Sequence, residues 1–193
     1  MLALPAALGI LYGYARGGRL RNLARFEVRA WWLLSLATVL QFCRYRHVPG
    51  FHWLFGSYNS IRPMLIVFGI VAVWLVLNAV RARPERAGIL LIAGGWLANF
   101  VVMAVNSGMP VDRDAALSVG FTPSDFATND IGDYHVLTSA DHLGWLADVM
   151  PVPYLQHVAS VGDVLLLAGL MTVCAVAMRP REARTAAPAA SAA

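Results

Sequence analysis

The chain contains no lysine, and its two cysteines, Cys43 and Cys174, stand alone without a CxxC or a close Cys/His spacing. That absence excludes the common thiolate metal and redox motifs. Charged residues are scarce, 13% of 193, while 59% are apolar, a balance foreign to water-soluble domains. No GxSxG, HExxH, Gly-rich phosphate loop or pair of neighbouring glutamates occurs, so the familiar hydrolase, zinc-protease and nucleotide-binding signatures are missing. No internal duplication suggests an inverted-repeat carrier. The opening stretch, MLALPAALGILYGYARGG, has its arginines after the apolar run rather than before it, the order of a retained helix and not of a cleaved signal peptide.

What charge there is follows a pattern. All 15 basic residues are arginines, with a formal net charge of +4. They form short clusters between apolar runs, as membrane topology requires, and not a stripe with interleaved aromatics, so no nucleic-acid partner is expected. Five apolar runs, 2–15, 30–43, 64–80, 87–105 and 158–178, predict an all-α membrane protein: a bundle of about five transmembrane helices forming one domain over 1–178. The first two runs, at 14 residues each, are short for a span of about 17 to 25 residues. Their connector carries Arg16, Arg19, Arg21, Arg25 and Arg29, and a hairpin tip with these groups in hydrocarbon would be prohibitive, so both runs are expected to cross. Eleven arginines fall on one side (those five with Arg81, Arg83, Arg86, Arg179, Arg181 and Arg184) and four on the other (Arg44, Arg46, Arg62 and Arg113). The richer side is cytoplasmic, which puts the N-terminus outside and the C-terminus inside. The tail, 179–193, reads as disordered.

Within the first connector Arg21, Arg25 and Arg29 recur every four residues opposite Leu20, Leu23 and Phe26, the pattern of a short interfacial helix whose arginines meet lipid headgroups. Trp31 and Trp32 follow at headgroup depth. Cys43 and Cys174 fall at opposite depths, beyond disulfide reach, and read as buried small residues.

The loop 106–157 is the region where chemistry could sit. It holds Asp112, Asp114, Asp125, Asp130, Asp133, Asp141 and Asp148 against Arg113 alone, together with enough apolar residues to pack on the helix ends. Thr122 before Pro123 and Ser139 before ADHLGWLADVM both look like helix starts. The second would be an amphipathic helix at the outer interface, with Asp141, Trp145 and Asp148 along one sector and Leu143, Leu146 and Met150 along another.

Asp163 lies inside the fifth run, about five residues or roughly 8 Å below its outer end. An intramembrane carboxylate faces the bundle and needs a partner, with Arg44, Arg62 or Asn106 as candidates, and it is either structural or functional. Asn99 and Asn106, seven apart, share a face and serve as hydrogen-bonding glue or as part of one polar pocket with Asp163. His135, His142 and Asp148 are ligand types that suit zinc, with His47, His52 and His157 nearby, although no spacing requires a metal.

The arginine-rich RGGRLRNL, the NSGMPV leaving the fourth run, YHVL, LADVMPVP and SVGDVLL resemble the bacterial membrane-protein family known as domain of unknown function 5317. The likeness extends over about 1–178; the family's LGDV is Leu146, Ala147, Asp148 and Val149 here. It implies a multi-helix membrane protein with no assigned activity, substrate or cofactor. Its matched positions, Asn106, Gly108, Met109, Pro110, His135, Asp148, Ser160, Gly162 and Asp163, become candidates for a binding site. The expected role is a multi-pass plasma-membrane binding or assembly component whose outer loop takes a partner membrane protein, a lipid or a small ligand. The alternative is a membrane-embedded, metal-dependent enzyme acting on a lipid-linked substrate through Asp148, Asp163 and His135 or His142.

Overall fold

The computed structural model describes residues 3–51, 61–80, 84–122 and 134–180. It is mostly helical. The chain forms α1 (Ala3–Ala15), a short α2 (Leu20–Leu23), α3 (Trp31–Tyr45), α4 (Ile61–Ala79) and α5 (Arg86–Asn106), then α6 (Arg113–Ser118) and α7 (Val161–Ala177), with Pro5 and Pro63 confined to the first turns of α1 and α4. Two of them contain a stretch long and apolar enough to cross a bilayer, Arg62–Ala79 and Arg86–Asn106. The boundaries differ from the apolar runs by up to three residues because capping and packing, rather than hydropathy, end a helix.

The principal contacts set the helices side by side in the order α1, α7, α5, α4, α3. Glycine makes the central pair close. A Cβ on Gly95 would fall on the carbonyl oxygen of Gly162, and one on Gly169 would lie 2.6 Å from the carbonyl oxygen of Gly88. Gly88 and Gly95 thus face Gly169 and Gly162 in antiparallel order, with only hydrogen atoms between the two backbones. On the other side of α7, Gly9 abuts Met171 and Cys174, while Gly13 and Gly18 abut Met178. Larger residues fill the remaining seams: Ala37, Leu40 and Cys43 meet Val67 between α3 and α4, and Leu75, Ile89 and Val173 join α4, α5 and α7. Cys43 and Cys174 are both buried and free.

The arginine connector is not the interfacial helix that its spacing suggested. Only Leu20–Leu23 is helical, so Arg25 and Arg29 lie outside it and Arg21 occupies its last turn. Tertiary contacts override the periodicity. Phe26 packs against the Leu75, Ile89 and Val173 cluster. The Asn78 side chain clamps the backbone of Arg29, accepting from its N–H at 3.1 Å and donating to its carbonyl at 3.1 Å. The end of α7 is tied down in the same region, where Met178 O accepts from Arg19 N at 2.8 Å and Asn22 Nδ2 at 2.9 Å.

Beyond α5 the chain builds a small cap. Ser107 adopts the left-handed conformation at φ 59°, and β1 (Met109–Val111) follows, pairing in parallel with β2 (Tyr134–Val136) in the register Pro110 to His135. A hairpin of β3 (Met150–Val152) and β4 (His157–Ala159) turns through a 3₁₀ segment at Pro153–Leu155. The fifth apolar run therefore divides: 158–159 belong to β4, and α7 begins only at Val161.

One sequence expectation fails here. Residues from Ser139 to Met150 do not form an amphipathic helix; one 3₁₀ turn, Gly144–Leu146, is all the helix they contain. Two of their backbone donors are taken by side chains, Ala140 N by Thr138 Oγ1 at 3.3 Å and His142 N by Asn106 Oδ1 at 2.8 Å, and Leu143 is left-handed at φ 56°. Asp141, Trp145 and Asp148 share no face: Trp145 is exposed and Asp148 buried. The other expectations concern residues outside those described: the helix start at Thr122 and Pro123 runs into 123–133, and His52, Arg81, Arg83 and the tail from 181 are likewise not covered.

The packing makes a sharp contrast between glycines. Gly95→Ala is expected to lower the thermal midpoint of the detergent-solubilised protein, at about 1–3 kcal/mol of overpacking. Gly69→Ala, on α4 where nothing lies within 4 Å of the added carbon, leaves the midpoint unchanged or raises it, since alanine is the better helix former.

Candidate functional site

The α5–α7 approach places Asn99 against the first turn of α7. Ser160 is the N-cap: its Oγ accepts from Asp163 N at 3.0 Å, and Ser160 N donates back to Asp163 Oδ2 at 3.1 Å, a complete capping box. Asn99 closes the network, donating from Nδ2 to Asp163 Oδ1 at 2.9 Å and accepting from Ser160 Oγ at 2.9 Å. Asp163 therefore sits in the helix's first turn, where an acidic group is favoured by the backbone N–H groups and the helix dipole, and not about five residues below the outer end. Its amide partner is Asn99, rather than Arg44, Arg62 or Asn106. The S-x-x-D spacing of Ser160 to Asp163 carried this signal in the sequence, where hydropathy masked it.

Asn106 belongs to a different junction. It donates from Nδ2 to Val102 O at 2.9 Å and to His142 O at 2.8 Å, and accepts from His142 N. It pins the cap to the end of α5. Gly108 and Met109 are buried there, Met109 with Val102 and Leu146, while Pro110 supplies a carbonyl to the strand network.

Asp148 occupies the centre of the cap. Its N–H donates to Pro110 O at 3.0 Å and its carbonyl accepts from Asp112 N at 2.8 Å, and next to it Val149 N donates to Ala159 O at 3.2 Å. The segment is therefore held between β1 and β4. The side chain is 4% exposed, and its Oδ1 has no hydrogen-bond partner among the described residues. Beside it lies a cavity of about 190 Å³. Val111, Ala116, Phe121 and Val158 form its apolar wall; Tyr134, His135, Asp148 and His157 supply the polar atoms. Asp112 builds part of the wall indirectly, capping α6 through Ala115 N at 2.7 Å.

Burial, reinforced by the nearby charge of Asp163, pushes the Asp148 carboxyl up to about 8, so it is protonated at neutral pH. Burial also holds the His157 imidazole below its ordinary range, outweighing the pull of Asp163, whose Oδ2 lies 3.9 Å from Nε2. Asp141 differs. Partial burial opposes its charge, yet donors from His135 Nε2 (2.8 Å), Thr138 N (2.7 Å) and Thr138 Oγ1 (2.9 Å) prevail and lower it. His135 thus enters the cavity already oriented by a carboxylate.

The zinc-type trio of His135, His142 and Asp148 is not assembled: His142 is exposed, with its backbone tied to Asn106, and His135 engages Asp141. Among the described residues no group of three His, Cys, Asp or Glu side chains is arranged to hold a metal ion. Sequence reasoning overlooked Phe121 and Tyr134 as cavity walls and gave His157 only a marginal place. No spacing could have joined them, since strand pairing brings them together.

A family model described as a family of unknown function, DUF5317, matches residues 25–175. The chain belongs to this family. No curated protein and no solved structure matches it. The DUF5317 match takes in the whole cap, from Asn106 to Ser160, and Asp163 beneath it.

The raised Asp148 carboxyl sets a pH dependence. Between its ordinary value near 4 and about 8, the folded protein holds a proton that the unfolded chain has lost, so stability falls as pH rises through this window. From pH 6.5 to 8, above the range where His157 opposes the trend, the loss starts at about 1.4 kcal/mol per pH unit and falls to about half that as pH reaches the folded value. Thermal melts of the wild type should show this decline, and Asp148→Asn should flatten it.

Proposed function

We propose that this DUF5317 protein is a multi-pass plasma-membrane protein crossing the bilayer five times, N-terminus outside and C-terminus cytoplasmic, and that its outer cap binds a small ligand in the Asp148 cavity. The bilayer reading is supported by the surfaces of the two long apolar helices, of which only 33% and 22% are buried inside the protein. The core helix of a soluble protein would be mostly covered, whereas Val73, Val76, Leu90 and Leu97 face outward here. The shorter helices are expected to cross because they pack lengthwise on the long ones: α7 along α5 through paired glycines, α1 along α7, and α3 along α4. Arginine asymmetry supports the orientation.

The binding reading is carried by one observation: a buried carboxyl oxygen without a partner at the edge of a mostly apolar cavity. Leaving such a group unsatisfied costs about 1–3 kcal/mol, and convergent polar groups in an apolar pocket are the usual form of a ligand site. A second reading, an enzyme acting on a lipid-linked substrate, draws on the same cavity: a protonated Asp148 could donate a proton, and a His135 oriented by Asp141 could accept one.

Labelling with a membrane-impermeant maleimide tests the orientation. Ser118→Cys should react on intact cells and Ala24→Cys only after permeabilisation, with Cys43 and Cys174 shielded; the reverse pattern would refute it. Native mass spectrometry of the purified protein tests the site. A bound small molecule should be retained by the wild type and lost from Ala116→Leu, which fills the cavity; an adduct indifferent to that change would place the ligand elsewhere.

A further inference from the structure

The geometry points to a small organic ammonium, a protonated amine on a compact apolar body, as the ligand class of the Asp148 cavity. This rests on the proposal that the cavity binds a ligand, and adds that ligand's charge. Asp148 Oδ1 is an acceptor with no donor among the described residues, so the missing group is an N–H or O–H, and the net charge around it decides between them. Among the described residues no arginine lines the cavity, and the chain has no lysine. Burial holds the His157 imidazole below its ordinary range, and the negative charge of Asp163 acts on Asp148. An anion would find only the neutral acid of Asp148 as a donor, with the charge of Asp163 opposing it and no countercharge among the described lining residues.

A cation reverses each unfavourable feature. It opposes the field that Asp163 imposes on Asp148, draws the Asp148 proton off to solvent, and forms with the resulting carboxylate the charge-assisted hydrogen bond that the buried oxygen lacks. Phe121 and Tyr134 add aromatic rings to the wall, whose faces attract ammonium groups. Val111, Ala116 and Val158 suit a hydrocarbon body, and about 190 Å³ admits a small one only. A bare metal ion fits poorly, because the described residues assemble no ligand trio.

The test uses the full chain in phosphatidylglycerol nanodiscs and three probes of similar shape: benzylammonium, benzyl alcohol and benzoate. Benzylammonium should bind at least about tenfold more tightly than the alcohol, roughly 1.4 kcal/mol, and benzoate should not bind measurably. Asp148→Asn should erase the preference, and Ala116→Leu should weaken both binding probes. The comparison of probes on the wild type keeps the test valid if either variant folds poorly. Equal or tighter binding of the alcohol or benzoate, still sensitive to Ala116→Leu, overturns the ammonium assignment and leaves the binding site standing. If none of the probes binds, or Ala116→Leu changes nothing, both inferences fall. Free amines and ethanolamine lipid headgroups both carry the ammonium. Competition by added phosphatidylethanolamine would support the assignment with the lipid as source, and undiminished benzylammonium binding would support it with a free amine.

Discussion

The backbone contact between α5 and α7 is the constraint from which the rest of the molecule follows. Gly88 and Gly95 on one helix and Gly162 and Gly169 on the other let the two chains meet without intervening side chains. At that separation a short amide one turn beyond Gly95 can reach the opposing helix terminus. Asn99 does so, and Asp163 and Ser160 have their hydrogen bonds completed from across the interface. In a low-dielectric setting, a network in which each side-chain group is paired is specific as well as stable. It fixes where α7 begins.

That start point controls the cap. Once Ser160 is the N-cap, the residues just before it are free to pair as a strand, and β4 aligns with β3 and with Val149. The Asp148 segment is then caught between β4 and β1, with its backbone satisfied on both sides. Its side chain is left facing a cavity that the same pairing closes. The two strand systems thus leave one carboxyl buried with an unpaired oxygen, an arrangement that folding alone does not favour. Conflicts of this kind collect at functional sites.

The structure also exchanges the roles of two acidic residues. Asp163, conspicuous in an apolar run, is consumed by capping and by Asn99, and acts on the site only through its field. Asp148, which the sequence surrounded with other loop aspartates, becomes the unusual group. The difference is a matter of partners. A carboxylate at a helix N-terminus finds N–H donors within its own first turn, whereas one between two strands whose backbone donors are already spent finds none.

Much of the helical framework was legible in the sequence, because long apolar runs are a local property and each of the five contains a helix in the structure. The family likeness was legible in contiguous strings such as NSGMPV and SVGDVLL. Local pattern failed where backbone groups had competing partners. The four-residue arginine spacing yielded to Phe26 packing and to the Asn78 clamp, the stretch after Ser139 lost donors to Thr138 and Asn106, and 158–159 left their apolar run to pair with β3. Composition and spacing by themselves determined an apolar, arginine-only, mostly helical chain with an acidic excursion after the fourth run. Only tertiary structure decided which aspartate would be buried without a partner, because that depends on hydrogen bonds between segments 36 to 64 residues apart, such as Asn106 with His142 and Asn99 with Asp163, which no local periodicity encodes.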